Sequence, residues 1–253
     1  KYDWRIDVNS AERMQDALKK SGRDVVFSLS NNAPFEKVND WIRISNMYRT
    51  GPDIRDSWND LYMLAFTLDK WSLYGGPGHW NDPDMMVVGN VATGMELHPT
   101  RLTPDEQYSH ISIYSLLAAP MLIGCELDEL DAFTLNLLSN DEVIEINQDP
   151  LGKPARLLSD ENGVQVWVKP MEDGSYAVGL FNTDNYGKTP QSYFRWGNEK
   201  SKSFEFYFSK VGLQGKWKLR NAWRQKTLGI FDGKFKTAIP YHGVVLLRMY
   251  PVK

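Results

Sequence analysis

The chain has 253 residues, 42% of them hydrophobic and 24% charged, with a formal net charge of −3, which is the balance of a globular protein with a real core. That charge gives no argument for nucleic acid or an anionic membrane as a partner, and no apolar run reaches the ~18 residues a membrane-spanning helix needs. A single cysteine, Cys125, excludes an intrachain disulfide and argues against a thiolate zinc site.

The chain opens on "KYDW", which reads as the end of a buried strand. Lys1 and Asp3 are two apart and so share one face of it, although a frayed, solvated terminus is the competing reading. "NSAERMQDALKKSG" follows as a helix, with Asn9 or Ser10 as its cap, Met14 and Leu18 on its apolar side, and Gly22 as its stop. Strands are expected near 25–30, 46–50, 85–88 and 121–124. Between them, Ile54, Trp58, Leu61, Ala65 and Leu68 repeat at helical spacing. "TPDE" at 103–106 is a capping box with proline at the first helical position, and "DEVIEIN" is a short helix. Strand, loop and helix in alternation argue for parallel βα units. About five such units fit in about 150 residues, where a whole eight-unit barrel takes about 250.

After Gly152 the pattern changes. "GVQVWVKP", "GSYAVGLFN", "KSFEFYFSKV", "KWKLRNAW", "GKFKTAIP" and "GVVLLRMYP" are short alternating runs between turn residues, the pattern of an antiparallel β-sandwich. The expected division is 1–152 for the α/β part and 153–253 for the sandwich. The sandwich aromatics Trp167, Tyr176, Phe181, Trp217 and Trp223 are expected in its core rather than on a sugar platform.

In a (β/α)8 barrel, reactive groups sit at the C-terminal ends of the strands and on the loops that follow. Three such places are chemically equipped. The first is Asp3. The second is "YRTGPD", with Arg49 and Asp53; Asp53 is equally readable as the cap of the next helix. The third is "GHWNDPDMM", with Trp80, Asn81, Asp82, Asp84 and Met85. Two carboxylates facing each other across a sugar are the equipment of glycoside hydrolysis. The four histidines lack metal-ligand spacing, and neither a nucleophile elbow nor a phosphate-binding loop occurs.

The stretches "KYD", "YRTGPDI", "GPGHWNDPDMMVVGN", "LLAAPMLIGCEL" and "LSNDEVIEINQDPLG" resemble glycoside hydrolase family 27, the α-galactosidase and α-N-acetylgalactosaminidase (melibiase) family. The likeness is strongest over 1–152. It implies the C-terminal part, strands 4–8, of a (β/α)8 barrel followed by an antiparallel β-sandwich, and a chain that starts at the nucleophile strand. It also implies Asp3 as nucleophile and Asp53 as general acid/base. Lys1, Ser30, Ala33, Arg49, Trp80, Asp84 and Met85 would then line the sugar site.

On the same resemblance, the substrate is a carbohydrate, no metal or organic cofactor is needed, and a periplasmic or secreted location is expected. The expected activity is release of terminal α-linked galactose. The alternatives are α-N-acetylgalactosaminidase activity, or a non-catalytic carbohydrate-binding relative. Ser30 and Ala33 would stand where the family's N-acetyl-specific members carry small residues. Arg5 and Leu29 fall where animal and plant members carry a disulfide, so that bridge is lost at both ends.

Overall fold

A computed structural model of the chain describes residues 1–3, 6–93, 96–184 and 200–252. Arg5, one end of the lost bridge, lies outside these residues; Leu29, the other end, is fully buried.

The first helix, α1 (Val8–Lys20), is capped by Asp7 rather than by Asn9 or Ser10: the Asp7 carboxylate accepts the Ser10 N–H at 3.0 Å. The chain then leaves the helix through Ser21, and Gly22 adopts φ 66, a left-handed conformation that glycine enters without steric cost. α1 buries Ala11 and packs Leu18 on the core, while Met14 stays exposed. Gln15 on its inner side donates to the Arg43 and Ile44 carbonyls at 3.0 and 2.7 Å. Those carbonyls end α2 (Val38–Ile44), a helix that sequence pattern did not single out.

The parallel sheet is narrower than expected. β1 (Ser28–Leu29), β2 (Met47–Arg49) and β3 (Trp80–Asp82) are adjacent and parallel, and Tyr2 adds a bridge to Leu29 on the outer side of β1. Val25 and Val26, expected in the strand, are exposed. The strand expected at 85–88 lies instead at 80–82. Pro83 cannot donate to a ladder, and Asp84 turns to φ 92, so pairing stops at Asp82. The apolar Met86, Val87 and Val88 are still buried, but only Met86 pairs, through one parallel bridge to Ile123. The strand expected at 121–124 is reduced to that bridge.

The helix after β2 is broken into α3 (Trp58–Leu61), a π turn over Tyr62–Phe66 and α4 (Asp69–Ser72). A short hairpin follows, β4 (Asn90–Val91) against β5 (His98–Pro99). The capping box forms as read: Thr103 and Glu106 exchange side-chain and backbone bonds at the start of α5 (Pro104–Leu116). α6 (Ala132–Leu138) and α7 (Asp141–Asn147) complete the α/β part.

The remainder is antiparallel. β6 (Arg156–Glu161), β7 (Val164–Pro170), β8 (Tyr176–Asn182), β10 (Lys216–Asn221), β11 (Lys226–Asp232) and β13 (Val244–Pro251) form one sheet in the order β11-β10-β13-β8-β7-β6. β9 (Lys202–Tyr207) pairs with β12 (Lys234–Ile239) as a second. The two sheets enclose Val166, Leu180, Phe206, Leu219, Ile239 and Leu247. The fold is therefore a parallel β/α part of the (β/α)8-barrel type followed by an antiparallel β-sandwich, as the sequence implied. β6 and β11 were not foreseen.

A different set of side chains joins the two parts. α5 is buried on nearly every side, because it lies between α7 and the outer face of the large sheet, against β7, β8 and β13. Trp167 and Phe181 belong to the core under the parallel sheet, and Phe66 meets Phe181 edge-on at 5.0 Å. Trp223 donates its indole N–H to Ser112 Oγ at 2.7 Å. His242 stacks on Trp58 at 4.0 Å and binds Glu106 at 2.7 Å. Several sandwich aromatics are thus core residues, but of the junction between the two parts.

Candidate active site

Strand register decides which side chains meet. Leu29, Tyr48 and Asn81 are successive partners across β1, β2 and β3, and Tyr2 is the partner of Leu29. This row faces the helices: Leu29 and Tyr48 are core residues, and Asn81 donates to the Trp71 carbonyl at 2.7 Å. The next row along, Asp3, Ser30, Arg49 and Asp82, must point to the opposite side. Arg49 and Asp82 are direct partners in it. Lys1 and Trp80 share that side, two residues back from Asp3 and Asp82. The C-terminal edge of the sheet is therefore polar on one face.

Arg49 is the centre of this edge. It is 1% exposed. Its Nη2 lies 2.8 Å from Asp84 Oδ2 and 3.2 Å from Asp53 Oδ1. Asp84 is as buried as Arg49, whereas the Asp53 side chain is 79% exposed. One guanidinium thus holds an interior carboxylate and a solvent-facing one. A second bond fixes Asp84 on the loop that bears Asp53, for its Oδ2 also accepts the Ile54 N–H at 2.8 Å. Its left-handed backbone is uncommon for a non-glycine residue. The Asp84 N–H, donated to Asp82 Oδ1 at 2.8 Å, offsets that strain.

Asp82 is 1% exposed, and burial pushes its carboxyl up to about 6. The Asp84 N–H and the Arg49 charge act in the opposite direction, Asp84 adds to the rise, and Lys1 opposes it. Beneath this loop the Tyr114 hydroxyl donates to the Pro83 carbonyl at 3.1 Å. Burial, with the nearby Asp84 and Asp82 charges, lifts that phenol well above its ordinary value.

Asp53 is not a helix cap. α3 begins at Trp58, and Ser57 caps it by accepting the Asp60 N–H at 3.2 Å. Asp3 is exposed, and its Oδ1 lies 3.4 Å from Asn31 Nδ2. Asn31 and Asn32 both adopt φ near 60°. The loop that holds them is tied to β2 and its exit: Asn32 N–H donates to the Gly51 carbonyl and Ala33 N–H to that of Arg49, at 3.1 and 2.8 Å. Ser30 and Ala33 are 1% and 3% exposed, so the side chain fronting Asp3 from this loop is Asn31.

Trp80 is half-buried and rests on Gly152. Gly152 has φ 57, and a Cβ there would lie 2.8 Å from the indole. Met85 lies against Gly124 in the same way. Arg49 therefore holds both Asp53 and Asp84, Asp3 meets Asn31, and Trp80 and Met85 line neighbouring parts of the edge. Sequence reading named Asp82 among the equipped residues without assigning it to the sugar site. Asp82 could have been found from parity with Trp80, two residues earlier on the same strand. Among the described residues, no three metal-ligating side chains converge and no helix is long and apolar enough to cross a membrane.

A parallel β/α sheet with carboxylates along its C-terminal edge, followed by an antiparallel sandwich, is the arrangement of a barrel-type glycoside hydrolase. Residues 2–149 match the family described as alpha galactosidase A, and residues 161–249 match the alpha galactosidase C-terminal beta sandwich domain. The chain belongs to this α-galactosidase (melibiase) family, glycoside hydrolase family 27. A protein named "Probable alpha-galactosidase" from Dictyostelium discoideum is 36% identical over 266 residues, covering 99% of this chain and 62% of its own length. The alpha-galactosidase of Cyamopsis tetragonoloba is 34% identical over 259 residues, covering 99% of this chain and 57% of its own. The chain thus spans about 60% of the length of these relatives. A crystal structure of a β-L-arabinopyranosidase from Geobacillus stearothermophilus superposes with a TM-score of 0.86 at 27% identity, over 97% of this chain and 54% of that one. The structure of that enzyme in complex with arabinose gives a TM-score of 0.88.

Proposed function

We propose that the protein carrying this chain is a retaining glycoside hydrolase that releases terminal α-linked galactose from oligosaccharides or glycoconjugates. The observation that carries the reading is the polar row at the sheet edge: Asp3 lies at one end of it, and Asp53 hangs on Arg49 beside it. Both carboxylates are open to solvent, while Asp82 and Asp84 beside them are buried. In the proposed reaction Asp3 attacks the anomeric carbon while Asp53 protonates the departing oxygen. Asp53 then takes a proton from water, which displaces Asp3 from the sugar. Lys1, Arg49, Trp80, Asp84 and Met85 contact or frame the sugar.

In the full-length protein, Asp3→Gly abolishes turnover of nitrophenyl α-galactoside, and external azide restores it by replacing the missing nucleophile. The first product formed by the unaltered enzyme keeps the α configuration by NMR. Inverted product overturns the double displacement, and no turnover of any glycoside supports a carbohydrate-binding relative instead.

The small side chains of Ser30 and Ala33 favour a second reading, hydrolysis of the 2-acetamido sugar. Values of kcat/KM on the α-galactoside and the α-N-acetylgalactosaminide decide between them. A preference above tenfold for the latter, about 1.4 kcal/mol, overturns the galactose assignment. A β-L-arabinopyranoside, which is an α-galactoside without its hydroxymethyl group, belongs in the same panel because of the arabinopyranosidase neighbour. A periplasmic or secreted location is part of the proposal and is tested by cell fractionation.

A further inference from the structure

The segment just beyond Asp53 ends in Asp56, a carboxylate with no exposed surface. Five donors or ring nitrogens surround it. Arg101 gives Nη2 to Oδ1 at 2.6 Å, and both its Nε and its backbone N–H to Oδ2, at 3.1 and 2.8 Å. Thr93 Oγ1 donates to Oδ1 at 3.0 Å, and His98 Nε2 lies 3.1 Å from Oδ2. Burial by itself pushes the carboxyl's pKa up; Arg101 and the other donors outweigh it and hold the carboxyl well below its usual range. An ion so buried is costly unless it is fully paired, and here it is.

The partners root the segment in the body of the site. Thr93, His98 and Arg101 lie on or beside the β4–β5 hairpin. Its end is fastened back to the chain leaving Asp84: Thr100 donates its N–H to the Gly89 carbonyl and its hydroxyl to that of Val87, at 2.7 and 2.8 Å. Ile54 packs with Leu64, Val87, Val91 and Leu102 in a separate small apolar cluster below. Asp53 is thus followed within three residues by two fixed points, the Ile54 N–H on Asp84 and Asp56 on the hairpin, while its own side chain stays exposed.

We infer that the Asp56–Arg101 clamp, with Thr93 and His98, is a positioning device that sets the loop carrying Asp53 at the distance proton delivery to the leaving oxygen requires. This rests on the reading of Asp53 as the acid/base. A misplacement of about 1 Å in such a group can cost on the order of 100-fold. The loss should fall on the step that needs the proton and spare the nucleophile at Asp3, which sits on a different strand segment.

The test compares galactosides of graded leaving group in the full-length protein. The variants are Asp56→Asn, Arg101→Met and Thr93→Val, with Asp53→Ala as reference. A dinitrophenyl leaving group departs without protonation; a methyl or alkyl one does not. For Asp53→Ala, kcat/KM falls about 100-fold or more with the alkyl substrate and changes little with the dinitrophenyl one. Asp56→Asn and Arg101→Met show the same asymmetry at roughly 10- to 100-fold, and Thr93→Val shows a smaller one.

Equal losses on both substrates mean a general structural role and overturn the clamp, as does no loss at all. If Asp56→Asn does not fold, Arg101→Met, altered at a side chain that is 39% exposed, decides by the same criterion. If Asp53→Ala itself lacks the asymmetry, the acid/base assignment falls, and the clamp's role falls with it.

Discussion

The parallel part and the sandwich both bury charge, and they do so differently. In the sandwich the buried cations, Lys169 and Arg248, pair with no buried carboxylate among the described residues. Lys169 donates to the Lys153 carbonyl at 2.6 Å, and burial lowers its ammonium to about 8. Arg248 donates to Ser175 at 3.2 Å and to two exposed carboxylates, Asp173 at 3.0 Å and Glu145 at 3.4 Å. Lys169 ends on backbone, and the carboxylates on Arg248 are both largely exposed. At the edge of the parallel sheet, by contrast, one of the two carboxylates on the buried guanidinium, Asp84, is itself buried, a second buried acid, Asp82, lies next to it, and only the Asp53 arm opens to solvent. What sets the parallel part apart is the buried acid pair Asp82 and Asp84 behind an exposed Asp53, and that difference supports the proposal that the chemistry lies there.

The largest expected effects separate the two regions. Asp84→Ala strands Arg49 in the interior with only the exposed Asp53 beside it. Breaking a buried pair this way costs about 3–5 kcal/mol, and it removes turnover as well, since Arg49 and the Ile54 N–H both lose their anchor. Trp167→Ala at the junction costs a similar 3–5 kcal/mol by cavity formation, but kcat measured well below the melting temperature stays unchanged. Denaturant unfolding and steady-state kinetics on both variants check the contrast; a kcat loss for Trp167→Ala equal to that for Asp84→Ala would erase it.

Asp82→Asn sharpens the comparison through pH. The folded state holds the Asp82 proton up to about pH 6, while an unfolded carboxyl releases it near 3.9. The stability from that proton is fully present below the unfolded value and is lost as pH rises through about 6. The substitution keeps an oxygen for the Asp84 N–H and removes the buried charge. It should raise stability at pH 7 by on the order of 3 kcal/mol and leave it unchanged near pH 3.5. Unfolding midpoints at the two pH values test this, and an equal shift at both would contradict it.

The smallest effect is expected at the start of α5, the helix that touches both parts. Thr103→Ala removes one half of the capping box, at a cost of about 1 kcal/mol, with no change in kcat.

The sequence by itself determined the local devices. The Thr103 box, the Gly22 stop, the short α7 helix and six of the sandwich strands depend on neighbours a few residues apart, and spacing exposes them. Family likeness also implied Asp3, Arg49, Asp53 and Asp84 as one site, and of these the structure shows Arg49 holding Asp53 and Asp84. Several features were decided only by tertiary structure, because they depend on partners distant in sequence. The apolar "MMVV" run reads as a strand, yet the ladder lies five residues earlier, where Pro83 and the turn at Asp84 end it. The Asp53 carboxylate could have capped a helix, but α3 starts four residues later on Ser57, and Arg49 takes Asp53 instead. Trp167 and Phe181 read as sandwich core, and α5 drew them to the junction. Asp56 gave no signal in the sequence at all: its partners are 37 to 45 residues away, and only the folded hairpin brings them to one carboxylate.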